Sequence, residues 1–381
     1  MTGKQKKRFH IPGLTSFFAS LISIGVGLLF GFILLVLLNP QFAGQGFISL
    51  VTAGLKSTDK LAKVLYQAAP LMMTGLSVGF AFKTGLFNIG ASGQYTVGAG
   101  LALIFAIQFQ QPWYVCLLIS MIAGAFWGVF PGLFKALFNV NEVITSIMFN
   151  WVGLYAVNTI IYQGGTGPMF NLKTTKTFTL KECAPQSLLP TFNVNVGDKP
   201  YFGKLFTPTI GIFIAIALAV VIWIVINKTT FGYELKACGF NKNAAKYAVI
   251  NEKKSIVLSM IISGALAGVG AGLFYLSGSK EWEPLVSTAL PAMGFNGISV
   301  ALLASSNPIG CIFSALFISH ITVGGGFMYA KLFPTEVADI ISGVVIYLCA
   351  FSLLFKTFLV GRKKKMASQP APDKNGKEAD A

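Results

Sequence analysis

Long apolar runs separated by short polar stretches dominate the sequence. The first run, FFASLISIGVGLLFGFILLVLL, covers residues 17–38, and about 20 apolar residues are enough to cross the hydrocarbon core of a bilayer. Further runs lie at 61–82, 89–109, 113–136, 140–161, 208–226, 256–276, 289–305, 309–323 and 337–358. The pattern predicts an all-α, polytopic membrane protein of about ten transmembrane helices, some of them short or broken.

The composition supports a membrane protein. Of the 381 residues, 54% are hydrophobic and 11% are charged, whereas soluble domains carry about 25% charged residues. The net charge of +16 does not indicate nucleic-acid binding, because the lysines cluster between apolar runs and at the two ends, where they indicate topology and contact with anionic lipids. The five cysteines are scattered and indicate neither a disulfide framework nor a metal site.

Basic residues at both ends predict the orientation. The segment 1–16 contains the basic stretch KQKKR, and the segment 359–381 contains the basic stretch GRKKK at residues 361–365. Because basic residues favour the cytoplasmic side, an even number of spans places both termini in the cytoplasm. The polar remainder of the C-terminal tail predicts disorder.

The same orientation divides the intervening chain. The transmembrane domain would comprise residues 17–358, with an external loop at 162–207 and a cytoplasmic segment at 227–255. Within this domain, two spans carry glycines four residues apart, which predicts close packing of helix backbones. These glycines are Gly124, Gly128 and Gly132 in one span and Gly264, Gly268 and Gly272 in the other.

A glycine-rich, polar segment interrupts the third apolar run. In GLFNIGASGQYTVGAG (85–100), Asn88 and Gln94 could offer amide groups to a polar solute, while the glycines permit an unwound turn. The alternative is a short cytoplasmic loop followed by a tightly packed helix pair. Irregular backbone at membrane depth occurs only inside protein or beside a water-filled cavity.

A second interrupted segment favours the solute-path interpretation. PAMGFNGISVALLASSNPIG (291–310) again places an asparagine, Asn296, after phenylalanine in a short run broken by glycine and proline. Paired interrupted segments are typical of transport sites at repeat interfaces. We therefore predict a solute path that includes Asn88, Gln94 and Asn296.

The stretch NVNEVITSIMFNW (139–151) contains a third candidate. Asn141 and Glu142 suit the start of a helix, which is a structural role. Asn150 lies about two turns deeper, where a buried amide must be hydrogen-bonded, so it either joins neighbouring helices or lines the solute path. His320 is similarly ambiguous, and packing is the more common role of a lone histidine.

The cytoplasmic segment 231–255 predicts a docking element. We expect one helix to end near Cys238 with Gly239 as its terminator, and Asn241 to begin a short helix from Lys242 to Ile250. The apolar face of that helix would consist of Ala245, Ala248 and Val249. The alternative is a basic loop that lies on anionic lipid.

Motifs of the common enzyme classes are missing from the sequence. It contains no GxxxxGK[ST] phosphate loop, no HExxH zinc motif and no GxSxG nucleophile elbow. Acidic residues are also few within the apolar runs, unlike the relays of many proton-coupled carriers. The sequence therefore indicates a transport protein that is not itself an enzyme.

Four motifs, in order, resemble a known family. They resemble motifs of the permease subunits of ATP-binding cassette importers of the branched-chain amino acid and simple-sugar type. The four motifs are FNIGASGQ, NEVITSIMFNW, LKACGFNKNAAKYAVI with the following SGALAGVGAG, and FNGISVALLASSNPIG. The resemblance covers residues 60 to 358 approximately. It is greatest to the nucleoside-importing branch, whose binding component is a basic membrane lipoprotein.

The resemblance implies a multi-pass permease in the bacterial cell membrane that translocates nucleosides. It also implies a second permease subunit, cytoplasmic ATPase subunits and an external solute-binding lipoprotein. ATP and Mg would be bound by the ATPase subunit, and this chain would carry no cofactor. Simple sugars are the nearest alternative solute, and a stand-alone carrier or a structural scaffold is the alternative from another class.

The family also implies roles for individual residues. One segment of this chain is similar to the family's element that docks on the ATPase. Its matching residues are Ala237, Gly239, Asn241, Ala244, Ala245 and Tyr247. Lys236 stands where the family often has arginine, and we assign it to the same coupling element. The break commonly reads NIGAEGQ, whereas this chain has Ser92 at the acidic position.

Overall fold

The computed structural model describes residues 12–192, 194–195, 205–206, 208–284 and 289–327, together with scattered positions between 340 and 357. Within these ranges the helices are α1 (Pro12–Leu38), α2 (Ala43–Thr52), α3 (Thr58–Lys83), α4 (Ala91–Ile107), α5 (Trp113–Phe138), α6 (Glu142–Tyr162), α7 (Leu180–Cys183), α8 (Gly211–Lys228), α9 (Thr230–Phe240), α10 (Lys242–Tyr247), α11 (Glu252–Tyr275), α12 (Ala292–Leu303) and α13 (Pro308–Gly326).

Seven of the described helices are long and apolar enough to cross a membrane. They are α1, α3, α5, α6, α8, α11 and α13, and each coincides with one of the runs predicted from the sequence. The protein is therefore a polytopic helical membrane protein. The last predicted span, 337–358, lies mostly outside the described residues.

Two of the predicted spans are much shorter than expected. The runs 89–109 and 289–305 form α4, of 17 residues, and α12, of 12 residues. At 1.5 Å per residue, these helices are about 25 Å and 18 Å long, less than the roughly 30 Å of the hydrocarbon core. Each is preceded by non-helical chain, so the expectation of broken or short helices is confirmed for these two segments.

The region between α6 and α8 was predicted as an external loop, and its described residues include short strands. Strands β1 (Phe170–Asn171) and β2 (Lys176–Thr177) pair antiparallel, as do β3 (Val194–Asn195) and β4 (Leu205–Phe206). Backbone hydrogen bonds join this region to the chain after α11, from Thr177 N to Trp282 O at 2.9 Å and from Leu189 N to Leu276 O at 2.9 Å. The region therefore covers one end of the helix bundle, called the loop end below.

The opposite end of the bundle carries α9 and α10 and is called the α10 end below. Between the two ends, α3 and α11 are the most enclosed spans. In the most apolar 18-residue stretch of each helix, 83% is buried for α3 and 72% for α11. By contrast, only 22% of the corresponding stretch of α1 is buried. Because α11 packs on α3, α4 and α5, the centre of the protein lies around these four helices.

The predicted glycine stripes join α5 to α11. A Cβ atom added to Gly124 would collide with the backbone of Gly264 and Gly268, and a Cβ atom on Gly268 would collide with the backbone of Ser120. Ser120 Oγ also donates a hydrogen bond to Gly268 O at 2.6 Å. The packing role predicted for these glycines is therefore confirmed, because only residues without side chains allow this backbone separation.

Asparagine caps define several helix starts. The Oδ1 atom of Asn141 accepts a hydrogen bond from Val143 N at 2.8 Å, and that of Asn241 accepts from Asn243 N at 3.0 Å. Both caps were predicted. The glutamate after Asn141 also forms an ion pair with Lys135 at 2.9 Å, which joins the start of α6 to the end of α5.

Candidate functional site

The two interrupted segments meet inside the bundle. Ser92 Oγ, in the first turn of α4, donates a hydrogen bond to Pro291 O, immediately before α12, at 3.1 Å. Gly294 of α12 packs on the backbone of Ser92, and Gly297 packs on Thr74 of α3. The starts of α4 and α12 are therefore neighbours beside the middle of α3.

From this meeting point, the two short helices run in opposite directions. The residues that follow α4 reach the loop end, where Gln110 Oε1 accepts a hydrogen bond from Gln186 Nε2 at 2.6 Å. The residues that follow α12 pack near Gly79, four positions before the end of α3 at the α10 end. Two half-length helices that start at one depth and diverge are typical of transporter binding regions.

Asn88 and Gln94 form a buried amide pair that is hydrogen-bonded across three helices. The Nδ2 atom of Asn88 lies 2.8 Å from Gln94 Oε1, and Gln94 Nε2 lies 3.3 Å from Asn88 Oδ1. Asn88 Nδ2 also lies 3.1 Å from Ser77 Oγ on α3 and 2.8 Å from Ser263 Oγ on α11. Both amides are fully buried, so this network stabilises the unwound residues 84–90.

Asn150 secures the same segment from α6. Its Oδ1 atom accepts a hydrogen bond from Gly93 N at 2.8 Å, and its Nδ2 atom donates to Ile89 O at 3.1 Å. The first turn of α4 has no side-chain cap of its own. Asn150 therefore acts as a cap supplied by a neighbouring helix, and it satisfies backbone groups on both sides of the break.

Asn296 has a different environment from Asn88. It lies one turn inside α12 and is half-buried, whereas Asn88 lies three residues before α4 begins. The two Phe-Asn pairs therefore do not occupy equivalent positions, and the sequence echo does not extend to the structure. Whether the four amides, Asn88, Gln94, Asn150 and Asn296, contact a solute stays a prediction.

A cavity of about 370 Å³ opens beside the meeting point of the short helices. It is lined by Tyr95, Phe274, Tyr275, Lys280, Glu281, Trp282, Glu283, Pro291, Ala292 and Met293. None of these residues was predicted from the sequence as a site residue. The sequence feature that could have indicated this cavity is the aromatic pair at the end of α11, which is followed by an acidic stretch with a tryptophan and then by an interrupted apolar run.

The chain around the cavity mouth is attached to the folded loop region. Lys176 Nζ forms an ion pair with Glu283 Oε1 at 2.7 Å. The hydrogen bond and the charge of Glu283 raise the pKa of the Lys176 ammonium, so the lysine stays charged throughout the neutral range. Glu281 Oε1 accepts a hydrogen bond from Thr179 Oγ1 at 3.4 Å.

The predicted coupling element differs from expectation in several details. Helix α9 continues through Gly239 to Phe240, so the glycine is not a terminator. Instead, Gly239 packs on the backbone of Thr84 and Gly85, where a Cβ atom would lie 2.7 Å from Thr84 C. The absence of a side chain thus allows α9 to contact the first residues of the unwound segment.

Helix α10 is shorter and less buried than predicted. It ends at Tyr247 rather than Ile250, and of the predicted apolar face only Ala245 is buried, whereas Ala248 and Val249 are exposed. Val249 has a positive φ of 61°, which ends the helical geometry. Lys246 Nζ forms an ion pair with Glu252 Oε1 at 3.0 Å, which holds α10 beside α11.

The remaining coupling residues divide into inward and outward positions. Lys236 is half-buried on α9, while Asn241 and Ala244 are exposed at the start of α10. Three large apolar side chains nearby are almost fully exposed: Phe240 at 92%, Tyr247 at 91% and Val249 at 92%. Exposed apolar side chains beside a basic segment are typical of a surface that contacts another protein or a membrane.

The architecture defines a multi-span membrane permease with two half-length helices at its centre. The chain belongs to the permease family described as "Branched-chain amino acid transport system / permease component", which matches residues 60–350. Its place is therefore the cell membrane, and its relatives are permease components rather than catalytic subunits. No solved structure matches the chain.

Three curated relatives match almost the whole chain. The guanosine ABC transporter permease protein NupP of Bacillus subtilis is 35% identical over 93% of this chain and 99% of its own length. The nucleoside ABC transporter permease protein NupB of Lactococcus lactis is 34% identical over 94% of this chain and 97% of its own. The glucose ABC transporter permease protein TsgB13 of Haloferax volcanii is 29% identical over 98% and 97%, respectively.

Proposed function

We propose that this chain is the membrane subunit of an ATP-driven importer that translocates nucleosides. The observation that carries the proposal is the similarity, along nearly the whole chain, to two permeases whose names specify guanosine or nucleoside transport. The central geometry is compatible with this function, because two half-length helices meet beside a cavity at mid-bundle.

The contact between α9 and the unwound segment suggests how ATP hydrolysis is coupled to transport. Separate cytoplasmic ATPase subunits, which bind ATP and Mg, would dock on α9 and α10 through the exposed side chains of Phe240, Tyr247 and Val249. Movement of α9 would reach residues 84 and 85 directly, because Gly239 packs on their backbone. That movement would then displace Asn88 and its hydrogen-bonded partners.

The remaining partners follow from the same machinery. A second permease subunit would complete the membrane channel, and an external solute-binding lipoprotein would deliver the nucleoside. The folded region 163–192 would form part of its docking surface, because it covers the loop end and is anchored by hydrogen bonds to the chain after α11. In this orientation the loop end faces outward and the α10 end faces the cytoplasm.

Simple sugars are the second candidate solute. The supporting observation is the 29% identity to the glucose permease TsgB13, which extends over 98% of this chain. The same architecture serves both solutes, because both are polar and carry several hydroxyl groups. The nucleoside assignment takes precedence, since the two nucleoside permeases are more similar to this chain.

Reconstitution in vesicles tests the proposal. The permease pair, the ATPase and the loaded binding protein are incorporated in proteoliposomes, and uptake of labelled guanosine is compared with uptake of labelled glucose. We expect guanosine uptake that requires internal ATP. Uptake by this chain alone under a sodium or proton gradient, without ATP, would contradict the importer, and preferential uptake of glucose would establish the second candidate.

A further inference from the structure

The cavity beside the starts of α4 and α12 has the features of a small-molecule site. Its volume of about 370 Å³ lies within the range of roughly 300–1,000 Å³ typical of ligand pockets. The buried Tyr95, together with Ala292 and Met293 at the start of α12, lines it next to the junction of the two short helices, and the charged residues Lys280, Glu281 and Glu283 line its mouth. We propose that this cavity binds the nucleoside during transport, with its base against Tyr275 and Trp282 and a hydrogen bond to the Tyr95 hydroxyl.

The hydroxyl group of Tyr95 is the observation that points to a ligand. The Tyr95 side chain is 1% exposed, and its hydroxyl oxygen has no hydrogen-bond partner among the described residues. Buried hydroxyls are nearly always hydrogen-bonded in folded proteins, because an unpaired one has lost its water without replacement. Since Tyr95 lines the cavity, a bound solute can supply the missing partner.

An aromatic wall favours a ligand with a flat ring. The rings of Tyr95 and Tyr275 have centroids 6.3 Å apart, and those of Tyr275 and Trp282 are 5.6 Å apart. Each pair is inclined by 56°, so a base that stacks on one ring meets its neighbour at an angle. Aromatic side chains bind nucleobases by stacking, and this contact tolerates any base because each base has a flat face. A binding site for several nucleosides needs such tolerance.

The wall is rigid before any ligand binds. Trp282 Nε1 donates a hydrogen bond to Asn158 Oδ1 at 2.8 Å, and Trp282 N donates to Thr177 Oγ1 at 3.0 Å. Helix α6 thus holds the indole ring, and strand β2 holds the backbone of the same residue. A side chain that is already ordered loses little conformational entropy on binding, which favours its use as a stacking platform.

The mouth of the cavity supplies groups for the sugar. One oxygen of Glu281 is hydrogen-bonded to Thr179, and a carboxylate has further acceptor positions for hydroxyl donors. Acidic side chains bind ribose hydroxyls in this way in dinucleotide-binding proteins. The cavity therefore places an aromatic surface for the base beside a carboxylate for the ribose, which together match a neutral nucleoside.

The inference rests on the proposed function and is tested separately from it. Binding of labelled guanosine to the detergent-solubilised permease and ATPase complex, without the binding protein, is compared for the unaltered chain and Tyr95→Phe. We expect the variant to bind guanosine about fivefold more weakly, because one hydrogen bond to the ligand is lost. Its unfolding midpoint should not fall, since no described residue is hydrogen-bonded to the hydroxyl.

Tyr155→Phe is the matched control, because Tyr155 is exposed on the outer face of α6, away from the cavity. It should bind and transport guanosine as the unaltered chain does. Equal guanosine binding by Tyr95→Phe and the unaltered chain would overturn the cavity assignment, as would competition by glucose that equals competition by unlabelled guanosine. If ATP-dependent guanosine uptake persists while Tyr95→Phe has no effect, the cavity assignment fails and the proposed function stands.

Discussion

The two interrupted segments of this protein resemble each other in sequence but differ in how their polar groups are satisfied. Residues 84–90, before α4, are held by hydrogen bonds from Asn88, Gln94 and Asn150. The chain before α12 is attached at Trp282 to β2 and at Pro291 to Ser92. It borders a cavity lined by Tyr95, whose hydroxyl has no hydrogen-bond partner among the described residues.

The difference distinguishes structural polar groups from candidate binding groups. A buried amide that is already hydrogen-bonded within the protein has less capacity left for a solute than a buried hydroxyl without a partner. By this criterion, the segment before α4 is a scaffold and the cavity beside α12 is the better candidate for solute contact. Four predictions test this distinction.

The largest expected effect is that of Asn88→Leu. The change leaves Gln94, Ser77 and Ser263 without their shared partner, so we expect a loss of about 3 kcal/mol in the free energy of unfolding. Asn296→Leu is the matched change in the other segment and should cost at most about 0.5 kcal/mol. Chemical unfolding in detergent measures both, and equal losses would remove the distinction between the two segments.

Gly239→Val is expected to have the second-largest effect. The new side chain would collide with the backbone of Thr84 and Gly85, and such overpacking costs about 1–3 kcal/mol. ATP-dependent uptake should fall with stability, because α9 is displaced from the unwound segment. Tyr247→Ala is the control on the exposed surface: it should keep the unfolding free energy and weaken copurification with the ATPase. Unchanged copurification would contradict the docking assignment.

Asn150→Ala should cost about 1 kcal/mol, which is typical of a lost helix cap. It removes the acceptor for Gly93 N and the donor for Ile89 O. The same change at the exposed Met148, on the same helix, serves as the control and should have no comparable effect. Hydrogen exchange at Gly93 measures the local consequence: faster exchange in Asn150→Ala alone supports the cap, and unaltered exchange contradicts it.

The smallest effect is expected for the surface ion pair of Lys176 and Glu283, because both side chains are exposed to solvent. Glu283→Gln should lower the unfolding midpoint by too little to measure. In the unaltered chain the raised pKa of Lys176 means that the pair contributes below the ordinary lysine pKa of about 10.4 and is lost as pH rises through the higher folded value. If the unfolding midpoint of Glu283→Gln decreased from pH 6 to pH 8 while that of the unaltered chain did not, the result would contradict this prediction.

The long spans were predictable because lipid imposes a simple rule. Any segment that crosses the hydrocarbon core must be apolar and helical, so hydropathy alone located the seven long helices among the described residues. The glycine stripes on α5 and α11 and the caps at Asn141 and Asn241 were also predictable, because each depends on a local spacing. Helix α2 was missed, since its 10 residues are too few for a span.

The errors occurred where a neighbouring element overrides the local pattern. Gly239 has the sequence features of a helix terminator, yet it is required for contact with Thr84 and Gly85. The spacing of Ala245, Ala248 and Val249 suggested one helix face, but the backbone leaves helical geometry at Val249. Hydrophobic spacing cannot indicate which apolar surface the rest of the chain covers.

The sequence by itself determined the class of protein, the long spans and the positions of the two interruptions, because apolar length and glycine spacing act locally. The tertiary structure alone decided which polar groups are satisfied. Asn88, Gln94 and Tyr95 are close in sequence and all buried, but Ser77 and Ser263 come from distant helices to pair with Asn88. No comparable group reaches the Tyr95 hydroxyl from the described chain, and this contrast, made by packing, separates the scaffold from the candidate solute cavity.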